Sequence, residues 1–321
     1  MRSPRHTLHI VSGKGGTGKT TIAAALACAL ATSGRRVLVC EVEGRQGITE
    51  LFGTSRLVDA EERRLLRTPA GGAVFGLAID PEDALLEYLE TFYHLGLAGR
   101  ALDRFGAVDF ATSIAPGLRD VLLTGKVYEA VRRGIKQRPN SYDAVVLDAP
   151  PTGRIAQFLN VHTALAGLAR VGPIRNQADS IMRLLRSATT VVHLVTLLED
   201  MPVTETEEAV AALRPTQIKV ATVIENMVVP TPLDDDQLRS AASQEKPLGV
   251  PGWTEKLNAA LTLEFADEAA RTLQQRERHV RLTSLRLPIA QIAFDPAGID
   301  EAAVFTISDQ LRDQIRLEAV A

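Results

Sequence analysis

Gly13-Lys14-Gly15-Gly16-Thr17-Gly18-Lys19-Thr20 is a stretch in which residue types and spacing specify a chemistry. It fits G-x-x-x-x-G-K-[ST], and Thr21 comes directly after it. Glycines at 13, 15, 16 and 18 let backbone N–H groups converge on a phosphate. A helix starting directly after them points its positive end at the same charge. In that frame Lys19 bridges the β- and γ-phosphates of a nucleotide, and the Thr20 hydroxyl ligates Mg²⁺. ATP or ADP with Mg²⁺ is therefore the expected cofactor set. Asp148 closes the apolar run Val145-Val146-Leu147. There its carboxylate either holds Mg²⁺, directly or through water, or caps the next helix. Lys14 is a second cation that an ordinary phosphate loop does not need; the plain alternative for it is a solvated loop lysine.

Such a loop works only between a strand and a helix, and the flanking sequence supplies both. Thr7 to Ser12 is a short apolar strand, Thr20 to Thr32 has helix-forming composition, and Gly34 stops it. Arg36 to Val42 is a continuous β-type run suited to burial on both faces. These make a right-handed βαβ unit. Further strands are expected at 74–79, 142–147, 189–198, 218–224 and 288–294, with helices at 204–213 and 299–317. Alternating strands and helices predict an α/β fold, a doubly wound and mostly parallel sheet within one domain spanning 1–321. Helical stretches at 81–135 and 154–187 exceed what crossovers need, and are expected as an inserted helical subdomain over one sheet edge. Residues 230–252, proline-rich and polar, are expected as a loop or weakly ordered insertion.

Composition narrows the classes. The 321 residues are 45% hydrophobic and 23% charged, ordinary for a globular chain with a sizeable core. With aromatics at only 4%, that core must be mainly Ala, Val, Leu and Ile. A formal charge of −3 argues against non-specific coating of nucleic acid. Two cysteines, Cys28 and Cys40, both in apolar runs, read as small buried hydrophobes, too few for a disulfide scaffold or a thiolate metal site. Six histidines share no metal-ligand spacing, and His193 reads as a core residue. The longest uncharged stretch, 20–34, is too short to span a bilayer, and the first residues lack an apolar signal core. A cytoplasmic chain without stable membrane insertion is expected.

The lysine-bearing loop resembles the deviant phosphate loop of dimeric ATPases that include division-site placement, chromosome partitioning, nitrogenase reductase and anion-pump members. The segment beginning at Asp148 is more specific. Asp148-Ala-Pro-Pro151-Thr152-Gly153-Arg154, then Phe158-Leu159, is similar to the nucleotide-sensing switch of the arsenite-pump and tail-anchored-protein-targeting ATPases. Pro116-Gly117-Leu118-Arg119-Asp120 resembles that family's PGxxE segment, and Pro202-Val203-Thr204-Glu205-Thr206 the segment after its next strand. The resemblance covers about 7–229 and returns near Leu287-Pro288. It implies that Lys14 reaches across a dimer interface to the partner's nucleotide. It also implies that Asn226 reads adenine, although a plain strand-end turn would use asparagine too.

Two departures matter. The family's water-positioning aspartate aligns with Glu43, a carboxylate one methylene longer. A misplacement of about 1 Å can cost on the order of 100-fold in rate. The family's zinc-binding C-x-x-C and the arsenite pump's cysteine cluster are both missing, so neither a zinc-clasped dimer nor arsenite transport is expected. The resemblance thus implies an ATP hydrolase, homodimeric or paired with a paralogous ATPase, that moves an apolar or membrane-protein client. The alternative is a weakly hydrolysing regulatory subunit that relies on such a paralogue. A small-molecule kinase using the same loop is a third, minor reading. Leu85, Leu86, Leu89 and Phe92, like Val121, Leu122 and Val127, recur at helical spacing, either as packing faces or as a client groove.

Overall fold

The computed structural model describes residues 7–42, 47–57, 61–81, 83–84, 116–136, 141–161, 173–244 and 248–315. Strand β1 (Leu8–Gly13) leads through the glycine loop into α1 (Lys19–Ala31) and back into β2 (Arg36–Val42). The short α2 (Gly47–Leu51), β3 (Arg63–Arg67) and β4 (Ala73–Ile79) come next. Helix α3 (Pro116–Ile135) precedes β5 (Ala144–Asp148), then come α4 (Thr152–Leu159) and α5 (Pro173–Leu185). The chain continues with β6 (Thr190–Thr196), α6 (Asp200–Leu213), β7 (Val220–Val228), α7 (Asp235–Ala242) and α8 (Glu255–Thr283). It closes with β8 (Ile289–Ala293) and α9 (Glu301–Gln314).

Among the described residues, eight strands form one sheet in the order β3-β4-β2-β5-β1-β6-β7-β8. Every pairing is parallel except β3 with β4. This is the expected doubly wound α/β sheet, and β1 sits inside it with β5 on one side and β6 on the other. Alternate residues of the inner strands enter different cores. Leu38 and Cys40 join Leu8, Ile10 and Leu147 on the face covered by α3, α4 and α5. Val37 and Val39 join Val11 and Val146 on the face covered by α1 and α9. Helix α1 is buried all round because α9 covers the side turned away from the sheet, through Val304, Ile307 and Leu311. That explains its Ala-rich composition: a helix without a solvent face needs small residues to approach two layers closely.

Three features differ from the sequence expectations. Strand β3 (RRLLR) was not expected, because arginines at 63, 64 and 67 mask an antiparallel edge strand. Helix α8, 29 residues long and about 43 Å end to end, was not expected either. Apart from Leu282 in its last turn, its buried positions Thr262, Ala266, Ala269 and Thr272 are small, so spacing without hydrophobicity gives little signal. Within 230–252, expected as a loop, Asp235–Ala242 form α7, started by a reciprocal capping box between Asp234 and Gln237.

The described parts of 81–135 and 154–187 are chiefly α3, α4 and α5. Val121, Leu122 and Val127 on α3 are buried in packing on the sheet. Residues 85–115 and 162–172, which include Leu85, Leu86, Leu89 and Phe92, lie outside the described residues. Among the described residues, no helix is long and apolar enough to cross a membrane.

Candidate functional site

The site lies at the carboxyl end of β1, between its neighbours β5 and β6, where open parallel sheets bind ligands. The end of β1 is crowded: a Cβ on Gly13 would stand 2.1 Å from the Val195 carbonyl oxygen of β6. Gly18 takes a left-handed conformation, φ +86°, that lets the loop turn into α1. Nothing lies within 4 Å of where side chains at Gly15 and Gly16 would be, so the loop faces open space.

The loop is folded around its own lysine. Lys19 is only 5% exposed, and its ammonium donates to the Lys14 carbonyl at 3.0 Å. The Thr17 hydroxyl donates to the same carbonyl at 2.9 Å. From α1, the Thr20 hydroxyl donates to the Asp148 carboxylate at 2.7 Å across 128 residues of sequence. Asp148 reaches that place because β5 pairs with β1 so that Val11 stands opposite it. The donor set fits Mg²⁺, since both groups offer the hard oxygens that this ion prefers. The Ser12 hydroxyl donates to the Pro150 carbonyl at 2.7 Å, fastening the segment after β5 to the end of β1.

Asn226, at the far end of β7, also comes home: its amide nitrogen donates to the Thr17 carbonyl at 2.9 Å. With Thr21 it lines a cavity of about 350 Å³, whose other walls include Phe294, Pro296, Ile299 and Thr306. The switch residues stand alongside. Pro151 precedes α4, and Thr152 opens it. Arg154 lies 3.6 Å from Asp120 of α3, so the PTGR and PGLRD segments meet.

Sequence reasoning gave three residues no role in the site. Glu205 of α6 pairs with Lys14, and its second oxygen accepts from the Thr152 hydroxyl at 2.9 Å. The Lys14 ammonium, helped by the Thr152 hydroxyl and opposed by burial, holds Glu205 below the usual carboxylate range. Glu41, buried beside Asp148 in the sheet register, accepts from the backbone N–H groups of Gly47 at 2.8 Å and Ile48 at 3.4 Å. It therefore ties the start of α2 to the end of β2. Ser12 is the third. All three lie in segments that the sequence marks as strand or motif, but nothing local signals a pair 191 positions apart such as Lys14 with Glu205. Glu43 itself lies outside the described residues.

Cys28 and Cys40 are fully buried, and burial pushes the Cys28 thiol up to about 12. His193, as expected, is a core residue: it stacks on His9 with ring nitrogens 3.1 Å apart. Among the described residues, no group of three or more His, Cys, Asp or Glu side chains gathers as if for a metal ion.

Comparison with known proteins points the same way. A family model described as anion-transporting ATPase matches residues 6–192. The ATPase BagA of Mycobacterium tuberculosis is 46% identical over 316 residues, 96% of this chain and 93% of the relative. An Aquifex aeolicus protein named for an arsenical pump-driving ATPase is 23% identical over 263 residues, 73% of this chain and 84% of that one. The ATPase get3 of Schizosaccharomyces japonicus is 28% identical over 180 residues, 54% of this chain and 51% of the relative.

Proposed function

This chain belongs to the anion-transporting ATPase family, and from that premise we propose a Mg-ATP-dependent dimeric ATPase whose nucleotide state opens and closes a helical client-binding subdomain. One observation carries the reading: Thr20 and Asp148 meet at 2.7 Å beside a lysine wrapped by the phosphate loop. A hydroxyl and a carboxylate so placed would hold Mg²⁺, which when bound would neutralise charge on the β- and γ-phosphates. Water adds to the γ-phosphorus as its bond to the bridging oxygen breaks, leaving ADP and phosphate. Lys19 stabilises charge on that bridging oxygen. Glu43 takes the water's proton, and Lys14 of the partner protomer stabilises the transferring group.

The cavity beside Thr21 takes the base. Because the Asn226 nitrogen is committed to Thr17, the amide keeps its oxygen as an acceptor for the adenine 6-amino group. Guanine presents an acceptor at that position, which favours ATP over GTP. The client is an apolar segment or a membrane protein, carried by a homodimer or by a heterodimer with a paralogous ATPase. Arsenite is not the cargo: two buried thiols, both with pKa values pushed up by burial, offer no thiolate cluster.

Phosphate release at equal concentrations of wild type, Lys19→Ala and Glu43→Ala tests the reading. Wild type should turn over, with both variants slower by on the order of 100-fold. Equal rates would overturn it. The longer carboxylate of Glu43 favours one alternative, a weakly hydrolysing subunit. That reading predicts tight nucleotide binding, negligible turnover alone, and recovery with Glu43→Asp.

A further inference from the structure

Lys14 has its counter-charge inside its own chain. The ammonium pairs with one oxygen of Glu205, and the other oxygen accepts from Thr152, the first residue of α4. A single carboxylate therefore holds both the extra loop cation and the start of the switch helix. The pair is partly exposed, with the Lys14 side chain at 31% and that of Glu205 at 24%. Such a pair is strong enough to bias a side chain and weak enough for a phosphate group to displace.

The helix behind it is fixed from the other side. Asp200 and Glu207 of α6 bind Arg278 and Arg281 of α8 at 2.9 Å and 2.7 Å, and Thr204 accepts from Arg281 at 3.1 Å. Since α6 is held by α8 and packs on α4 and β6, the Glu205 side chain, rather than the helix, is the part that yields.

We propose that Glu205 is a positioning residue for Lys14: it keeps the ammonium on its own protomer until a γ-phosphate across the interface competes for it, and lets go of Lys14 and Thr152 together. This rests on the proposed action of Lys14 across a dimer. One ammonium cannot serve a carboxylate in its own chain and a phosphate in the partner at full strength. The carboxylate thus sets the nucleotide concentration at which closure occurs. ADP, lacking the γ-phosphate, leaves the pair intact.

Glu205→Gln keeps the shape and an oxygen for Thr152 while removing the charge. Closure is read by sedimentation against the concentration of a slowly hydrolysed γ-thio ATP analogue with Mg²⁺, and ADP affinity by calorimetry. The variant should close at about three- to five-fold lower analogue concentration, the range of a partly exposed ion pair, with ADP affinity unchanged. In the Lys14→Ala background, Glu205→Gln should leave the melting temperature of the nucleotide-free chain unmoved, whereas it lowers that of the wild type. Should Glu205→Gln fail to fold, Glu205→Asp, which draws the charge back by one methylene, should shift closure in the same direction by less. A folded Gln variant that closes at the wild-type concentration or above it overturns the role of Glu205, as does an equal melting change with and without Lys14. A wild type that never closes with the analogue instead overturns the dimer reading on which the proposal stands.

Discussion

Thr20, Asp148, Lys19 and Asn226 are each joined to the candidate site by a bond to a residue near in space, and the loop glycines make room for those bonds. Gly18 is the most exacting position. Its φ of +86° costs an alanine about 1 kcal/mol or more, and a Cβ there would stand 2.4 Å from the Asn226 amide nitrogen. Gly18→Ala should therefore break the Asn226–Thr17 bond, lower the urea midpoint and weaken ADP binding together. Unchanged calorimetric affinity for ADP would show that the loop absorbs the side chain. Glu205 makes a prediction in pH. Its pKa is lowered in the folded state by Lys14 and Thr152, so its stabilising contribution is fully present above its unfolded value of about 4.3. The contribution fades as pH falls through the lower folded value. Melting temperatures of wild type and Glu205→Gln should thus differ at pH 7 and converge on acidification below pH ~4. A gap that stays constant over that range would assign the effect to packing.

At the scale of elements, helix starts carry much of the order outside the sheet. Helix α7 begins with a complete capping box, Asp234 accepting from the Gln237 backbone while the Gln237 side chain accepts from the Asp234 backbone N–H. Asp234→Ala should cost about 1 kcal/mol. The loss should concentrate in amide exchange of 235–242, because α7 packs chiefly on α8 and not in the main cores. Uniform acceleration of exchange across the sheet would contradict that local view. The D-x-x-Q spacing is legible in the sequence, but the surrounding prolines and polar residues read as a loop. Helix α6 faces two ways: Glu205 turns to the phosphate loop, while Asp200 and Glu207 hold α8. Acidic residues spread along one helix read as a solvated face until their partners are in place.

Across the whole molecule, among the described residues, two large cores lie on opposite faces of one sheet, and a smaller cluster of Leu198, Val203, Val223 and Leu282 adds to them. Leu26 of α1 is fully buried in the core closed by α9. Leu26→Ala should cost about 2–5 kcal/mol, seen as a lower urea midpoint at an unchanged m-value. A smaller loss would mean that α1 can sink toward the sheet and refill the space. Helix α1 also carries Lys19 and Thr20 at its first turn, so the same variant should weaken ADP binding if the helix shifts. Tightly packed layers transmit such shifts.

The sequence by itself determined the parts whose structure is local. The glycine loop, the βαβ unit around it, the buried strands and the order of alternating elements arise from backbone freedom at glycine and from side-chain periodicity. Their physics acts over a few residues, so it is legible there. Tertiary structure decided which distant groups became partners: Thr20 with Asp148, Asn226 with Thr17, Arg154 with Asp120, Lys14 with Glu205. Sheet order and register made those choices, by setting β5 and β6 against β1 and carrying α6 over the loop. A carboxylate on an isolated helix has no preferred cation. It acquires one only when packing fixes both backbones and excludes the alternatives.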